Sequence, residues 1–208
     1  PILREKLSGR IKMKMQQLFK RCFGFTAHEI ELVCSDSFSA STKKFTQMAR
    51  NFDPSISVED IFQASRNLWI ANTIQILWGQ EPEITPSLFA YSMLYPYTDN
   101  YLDNRSISSE QKMAFSNRFR MRLSGDYVEA VGQQEQKIFD LVSIIEGQWD
   151  RALYPEVFES LVAIHDAQTQ SIALLHHKKE LDSKQLLPIC IDRGATSFLA
   201  DGYLVKGK

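Results

Sequence analysis

The sequence predicts an all-α protein, a bundle of about eight to ten helices around one core. Apolar residues recur every three or four positions in nearly every segment, which is the periodicity of an amphipathic helix. Helix-capping residues precede several of these segments. Hairpin signals, alternating strands and internal repeats are missing from the sequence. Because no linker-like stretch divides the 208 residues, we expect a single domain, residues 1–208.

Breakers and caps delimit the first predicted helices. The first apolar stripe has lysines and arginines between its members, and Gly24 is its expected stop. Pro54 closes the next helix, because the residue before a proline avoids helical conformation. Ser57 is the expected N-cap of a third helix, which Gly79 ends. These helices are predicted at about 3–22, 42–51 and 58–78.

The later helices carry stronger local signals. Thr85 and Pro86 supply an N-cap and a proline for the first helical position. Pro96 lies inside the same helix and is expected to kink it. Ser108 and Gln111 have the spacing of a capping box. We predict helices at about 86–105, 108–123, 126–145, 155–180 and 183–205.

Composition excludes several classes of protein. The formal net charge is -1, so there is no electrostatic reason to expect a nucleic acid or an anionic membrane as partner. The three cysteines include no close pair, which argues against a disulfide framework and a structural zinc site. Reduced thiols and the lack of a signal peptide or transmembrane segment predict a cytoplasmic location. The three cysteines are Cys22, Cys34 and Cys190.

An acidic pair follows an aromatic stripe in the helix that contains Pro96. Asp99 and Asp103 are four residues apart, so on a helix both carboxylates lie on one face. Such neighbours repel each other unless a cation or a proton lies between them. Mg²⁺ commonly takes one or two protein carboxylates and completes its shell with water and phosphate oxygens. Polar or aromatic neighbours of the pair are Ser92, Tyr95, Asn100, Asn104 and Arg105.

Arg193 lies among small and apolar residues near the end of the chain. A surface ion pair is the ordinary role for such an arginine. However, Gly194 and Ala195 would let a ligand approach closely, and a guanidinium matches phosphate oxygens in a bidentate manner. Ser197 lies one helical turn further on. We therefore treat Arg193 and Ser197 as candidate ligand-binding residues.

The dipeptide His165-Asp166 is also found in metal-dependent HD phosphohydrolases. That chemistry needs a further histidine upstream and an aspartate downstream, and no suitable partners are evident here. A histidine at the edge of the core is the simpler interpretation. Gln168, on the apolar face of the same helix, either bonds a neighbour or faces a cavity.

The segments TDNYLDN and RGATSFLADGYLV resemble elements of the class I isoprenoid synthases, and specifically of bacterial large terpene synthases similar to tetraprenyl-curcumene synthases. The resemblance implies a helical bundle with a central apolar cavity and a Mg²⁺-dependent lyase or transferase acting on a prenyl diphosphate. It implies that Asp99 and Asp103 bind the metal and that Arg193 contacts the diphosphate. The implied substrate-binding residues are Ser92, Tyr95, Arg105, Gln168 and Ser197.

One element of that family has no counterpart in the sequence. The family has a second metal-binding motif on a helix after the glycine-broken one, and no such motif occurs before Lys208. Either the chain is truncated before that motif or it is a divergent, inactive member of the family, and we expect truncation. The alternatives are a non-catalytic helical module that binds a lipid or a protein, and an HD phosphohydrolase. Assembly, for example as a homodimer, is left open by the sequence.

Overall fold

A computed structural model describes residues 13, 14, 16–18, 20, 21, 24, 26, 27, 30, 31, 35–176 and 183–207. Side chains at 170–186, 188–190, 192 and 193 lie outside that description. The described residues form helices and connecting turns and contain no strand, which confirms the predicted all-α class. None of the described helices combines the length and the apolar character needed to cross a membrane.

Seven helices have both ends within the described ranges. In chain order they are α1 (Asp36–Phe52), α2 (Val58–Leu77), α3 (Pro86–Asp103), α4 (Ser109–Ser124), α5 (Gln133–Gln148), α6 (Pro155–His176) and α7 (Ser183–Lys206).

The predicted caps are present at several helix ends. Ser57 and Thr85 each accept a hydrogen bond from a backbone N–H in the first turn of their helices. Ser108 and Gln111 form the reciprocal capping box at the start of α4. Gly125 ends α4 with a φ of 96°, a left-handed conformation that favours glycine. These local signals therefore set the helix boundaries as predicted.

Two predicted boundaries are corrected by the structure. α1 begins at Asp36 rather than near residue 42, because Ser35 accepts a hydrogen bond from the Phe38 N–H. The helix expected to begin at Asp126 begins at Gln133 instead. Residues 126–130 are not helical, and Gly132 has a φ of 86°, so the chain turns into α5 only after this glycine.

Helix α3 lies at the centre of the bundle. Eleven of its residues are buried, and it packs most extensively against α5 and α2. It runs antiparallel to α2, because Ser92 pairs with Asn67 and Asp99 pairs with Gln63 further toward the start of α2. The helix continues through Pro96 to Asp103. The acidic pair therefore lies at the end of a helix whose position several neighbours fix.

Ion pairs join α4 to its neighbours. Arg118 forms a bidentate pair with Glu135 of α5, with N···O distances of 2.7 and 2.9 Å. Glu135 is completely buried, whereas Arg118 keeps a quarter of its side-chain surface exposed. Arg120 forms a similar bidentate pair with Asp166 of α6, but both partners are exposed. The two arginines thus make the same contact at very different depths.

Gly207, just after α7, is a site where a side chain would not fit. Its φ is 82°, and an added Cβ would lie 2.5 Å from a ring carbon of Trp149 and 2.7 Å from one of Tyr154. We expect Gly207→Ala to lower the free energy of unfolding by about 2 kcal/mol, because left-handed backbone and ring displacement both cost energy. Urea unfolding measures this, with Gly147→Ala as control, since a Cβ there meets open space. Equal losses in the two variants would contradict the prediction.

Candidate functional site

The candidate site lies at the C-terminal end of α3. Because α3 is continuous from Pro86 to Asp103, Asp99 and Asp103 are one turn apart on one face, as predicted. The Asp99 carboxylate is half-buried and accepts a hydrogen bond from Gln63 Nε2 at 2.8 Å. Asp103 is exposed. One carboxylate is therefore held by α2, and the other faces solvent.

The first turns of α2 also contribute polar groups at this end. Asp60 accepts hydrogen bonds from Asn100 Nδ2 at 2.8 Å and from Ser57 Oγ at 2.7 Å. Neither Gln63 nor Asp60 was a sequence candidate, and the only sequence signal was the acidic first turn of α2. Among residues 35–169 and the other described side chains, no group of three or more His, Cys, Asp or Glu residues is arranged to hold a metal. A Mg²⁺ ion here would depend on two carboxylates, water and ligand oxygens.

Three hydroxyl groups meet one turn before Asp99. Tyr95 contacts Tyr91 at 2.8 Å and Ser197 at 2.6 Å between their oxygen atoms, and the Tyr91 and Ser197 oxygens are 3.4 Å apart. Burial is the main cause that raises the pKa of Tyr91 well above its ordinary value. The Tyr91 hydroxyl therefore stays protonated at neutral pH, and each of the three hydroxyls has one hydrogen to donate.

The direction of α7 follows from these contacts. Ser197 lies beside Tyr95, whereas Gly207 at the end of α7 lies beside Trp149, whose indole N–H donates to Ser87 near the start of α3. α7 thus runs antiparallel to α3, and the backbone of residue 193, one turn before Ser197, lies toward the acidic end. The side chain of Arg193 lies outside the described part of the chain.

A small cavity lies beside the hydroxyl group cluster. Its volume is about 30 Å³, which is enough for a water-sized guest. Ligand pockets for small molecules usually have roughly 300–1,000 Å³. The cavity is lined by Tyr91, Leu94, Tyr95, Thr98, Phe119, Leu123, Leu161, Ile164, His165 and Gln168.

The structure brings only some of the predicted residues together. Tyr95 and Gln168 line the cavity, and Ser197 contacts Tyr95. Ser92 is fully buried and accepts a hydrogen bond from Asn67, so it faces α2 rather than the cavity. Arg105 lies exposed in the turn after α3. Of the predicted substrate-binding residues, only Tyr95, Gln168 and Ser197 therefore lie at or beside the cavity.

His165 and Asp166 point to different neighbours. Asp166 is bound by both nitrogens of the Arg120 fork, on the outside of the bundle. His165 is buried against the Phe119 ring, with Nε2 3.2 Å from Ser116 Oγ. Burial lowers the pKa of His165, although the nearby Asp166 charge opposes this shift. Two side chains so oriented do not form the joint metal site of an HD phosphohydrolase.

Asn67 is a buried polar residue at this site that the sequence analysis did not single out. Its amide nitrogen donates to Asp201 Oδ1 at 3.1 Å and to Ser92 Oγ at 3.3 Å. Asn67 thus joins α2, α3 and α7 in the interior. A signal was available, because Asn67 interrupts the apolar face of α2.

Comparisons with known proteins identify no relative. No family model, curated protein or solved structure matches the chain.

Proposed function

We propose that this chain is a Mg²⁺-dependent class I terpenoid synthase or prenyltransferase that ionises a prenyl diphosphate. The observation that supports this most directly is that the middle of α7 passes the C-terminal end of α3. An aromatic stripe on α3 leads to Asp99 and Asp103, and α7 carries residue 193 toward the same end. Carboxylates on one helix and a guanidinium on the next are a suitable pair of contacts for a metal-bound diphosphate.

Each of these residues has a role in the proposal. Asp99 and Asp103 would hold Mg²⁺, which when bound supplies positive charge to the diphosphate. Arg193 would bind the diphosphate oxygens, so that this group can leave with the electrons of the C–O bond. Tyr95 would face the allylic cation with its ring and help exclude water. Gln63 orients Asp99 through its hydrogen bond.

The cavity volume sets a condition on this proposal. A prenyl chain does not fit into about 30 Å³. Substrate binding therefore requires that the side chains lining the cavity move apart. We expect the Tyr95 side chain to move, because it is half-buried and contacts Ser197 through its hydroxyl rather than through close packing alone.

The proposed metal role is tested by binding of inorganic pyrophosphate with Mg²⁺, measured by calorimetry on the 208-residue chain. We expect Asp103→Ala to weaken the affinity at least about tenfold, or about 1.4 kcal/mol. Asp103 is exposed, so folding should be unaffected. Asp140→Ala is the control, because Asp140 is also exposed but lies on α5 and pairs with Gln136. Equal affinity in wild type and Asp103→Ala would remove the metal role.

Catalysis itself is tested by release of diphosphate from geranylgeranyl diphosphate. Wild type should release diphosphate in the presence of Mg²⁺ and not in the presence of a chelator. Asp99→Asn should be slower, because the amide has no negative charge for the metal. If wild type binds pyrophosphate tightly but releases none from the prenyl substrate, the site binds the diphosphate group without catalysing its departure.

A second candidate function is a non-catalytic helical module that binds a lipid or a protein. Two observations favour it: the cavity is small, and α7 has large apolar side chains on its surface. At 54–61% exposure, these are Leu187, Ile191, Phe198 and Leu199. This candidate predicts that wild type binds no pyrophosphate, with or without Mg²⁺.

A further inference from the structure

Asp201 is a carboxylic acid in the interior of the bundle. Its exposure is 0%, and one of its oxygens, Oδ1, accepts a hydrogen bond from Asn67. The other oxygen, Oδ2, is buried and has no hydrogen-bond partner among the described residues. No ion pair in the described part of the chain includes Asp201. An ionised carboxylate in this place would be a buried charge with a single neutral partner, which is strongly unfavourable.

Within the described ranges, the helices packed against α7 offer Asp201 no lysine or arginine partner. α3 and α6 contain no lysine or arginine at all, and α2 contains only Arg66, which is exposed. Among the described residues, the Asn67 amide on α2 donates a hydrogen bond to Asp201, and the Tyr91 phenol on α3 is close enough to interact with it electrostatically. On α7 itself, Lys206 lies over the Trp78 ring instead. Burial raises the pKa of Asp201 well above its ordinary value, and the Asn67 hydrogen bond offsets only part of this.

The position of Asp201 on α7 is close to residues proposed to bind the ligand. It is one helical turn after Ser197 and two turns after residue 193 on α7. Its partner Asn67 uses its second amide proton to hold Ser92 of α3. The contact therefore ties α7 to both helices, close in sequence to Ser197 and residue 193.

We propose that Asp201 is a positioning residue, whose hydrogen bond with Asn67 fixes the register of α7 and so places Ser197 and Arg193 at the diphosphate site. The second half of this inference, the placement of Ser197 and Arg193 at a diphosphate site, rests on the proposed function. The first half, the anchoring of α7 by a buried acid, does not. In the folded chain the acid is protonated, with the proton on Oδ2, the oxygen that accepts no hydrogen bond.

The first test measures unfolding of wild type and Asp201→Asn by urea between pH 4 and pH 9. A raised folded pKa means that the contribution of Asp201 to stability is full below its unfolded value of 3.8 and is lost as the pH rises toward the folded value. Asp201→Asn cannot ionise, so its free energy of unfolding should increase relative to that of wild type as the pH rises. The ratio of their unfolding constants should change by about tenfold per pH unit until the folded pKa is passed. A ratio that is the same at pH 5 and pH 8 would overturn the buried-acid half.

The second test measures pyrophosphate and Mg²⁺ binding of position 201 variants. Asp201→Asn keeps an oxygen for the Asn67 amide and should bind within about twofold of wild type. Asp201→Ala loses that contact and should bind at least about tenfold more weakly. The control is Asn72→Ala, also fully buried on α2 but bonded to Ser41 of α1. It should lose stability and keep pyrophosphate affinity.

The outcomes separate the two proposals. If Asp201→Ala and Asn72→Ala weaken binding equally, Asp201 acts only through general stability and the positioning role is wrong. If wild type itself binds no pyrophosphate, the proposed function fails, and the pH dependence of unfolding still decides whether Asp201 is a buried acid anchor. If Asp201→Asn binds as weakly as Asp201→Ala, the Asn67 hydrogen bond does not carry the positioning.

Discussion

Arg118→Ala should lower the free energy of unfolding by about 3–5 kcal/mol, one of the two largest effects that we expect in this chain. The reason is the depth of its partner. Glu135 has no exposed side-chain surface. Its carboxylate accepts hydrogen bonds from Nε and Nη2 of Arg118 and from the Val131 N–H. Without the guanidinium, the carboxylate stays buried with one backbone donor. Urea unfolding at pH 7, monitored by helical circular dichroism, measures the loss.

The matched control is Arg120→Ala, two residues along the same helix. Arg120 makes the same bidentate contact with Asp166, but side-chain exposures of 51% and 37% keep both charges solvated. Exposed pairs of this kind contribute about 0–1 kcal/mol. Similar losses in the two variants would show that burial of Glu135 does not set the energy. A further check is Arg118→Met combined with Glu135→Leu, which should recover much of the loss because no buried charge remains.

The sequence predicts helix ends well where one residue carries the signal. Ser57, Thr85 and Ser108 each accept a hydrogen bond inside their own first turn, so the interaction is local and its pattern is visible in the sequence. The start of α1 was predicted too late, because several serines near Ser35 are equally good caps. The start of α5 was predicted too early, because only the backbone conformation shows that Gly132 has a positive φ.

In the candidate site too, the features that one helix determines could be predicted, and those that depend on helix packing could not. The spacing of Asp99 and Asp103 follows from one helix, so the sequence was sufficient for it. Gln63 and Asn67 become part of the site only through the antiparallel packing of α2 on α3, which periodicity does not specify. Ser92 follows Tyr91 directly, and one residue turns a helix by about 100°, so these neighbours face different helices. Cavity volume depends on rotamers and is beyond what spacing can give.

Asp53→Asn should cause the other large effect and lower the free energy of unfolding by about 3 kcal/mol at pH 7. Asp53 caps the end of α1 and is almost completely buried. Its Oδ2 accepts hydrogen bonds from Lys137 Nζ and from the Tyr97 hydroxyl, each at 2.5 Å. Its Oδ1 accepts from the backbone and hydroxyl of Ser55. An amide would have no charge for Lys137 and would turn an N–H group toward one set of these donors.

The pH dependence gives this prediction a definite sign. Burial alone would raise the pKa of Asp53, but the hydrogen bonds from Lys137, Ser55 and Tyr97 outweigh it and hold the pKa well below its ordinary value. The stabilisation is therefore complete above the unfolded value of 3.8 and is lost as the pH falls through that value toward the folded one. The difference between wild type and Asp53→Asn should be constant from pH 7 to pH 5 and shrink below pH 4.

The control for this effect is Asp140→Asn on α5, the helix that carries Lys137. Asp140 is exposed and accepts one hydrogen bond from Gln136, so its replacement should change stability by less than about 0.5 kcal/mol. A difference for Asp53→Asn that does not shrink in acid would mean that shape, not charge, is what position 53 supplies. The position matters for the site because Tyr97 lies two residues before Asp99. Acid that releases Asp53 should loosen the end of α3 that carries the proposed metal ligands.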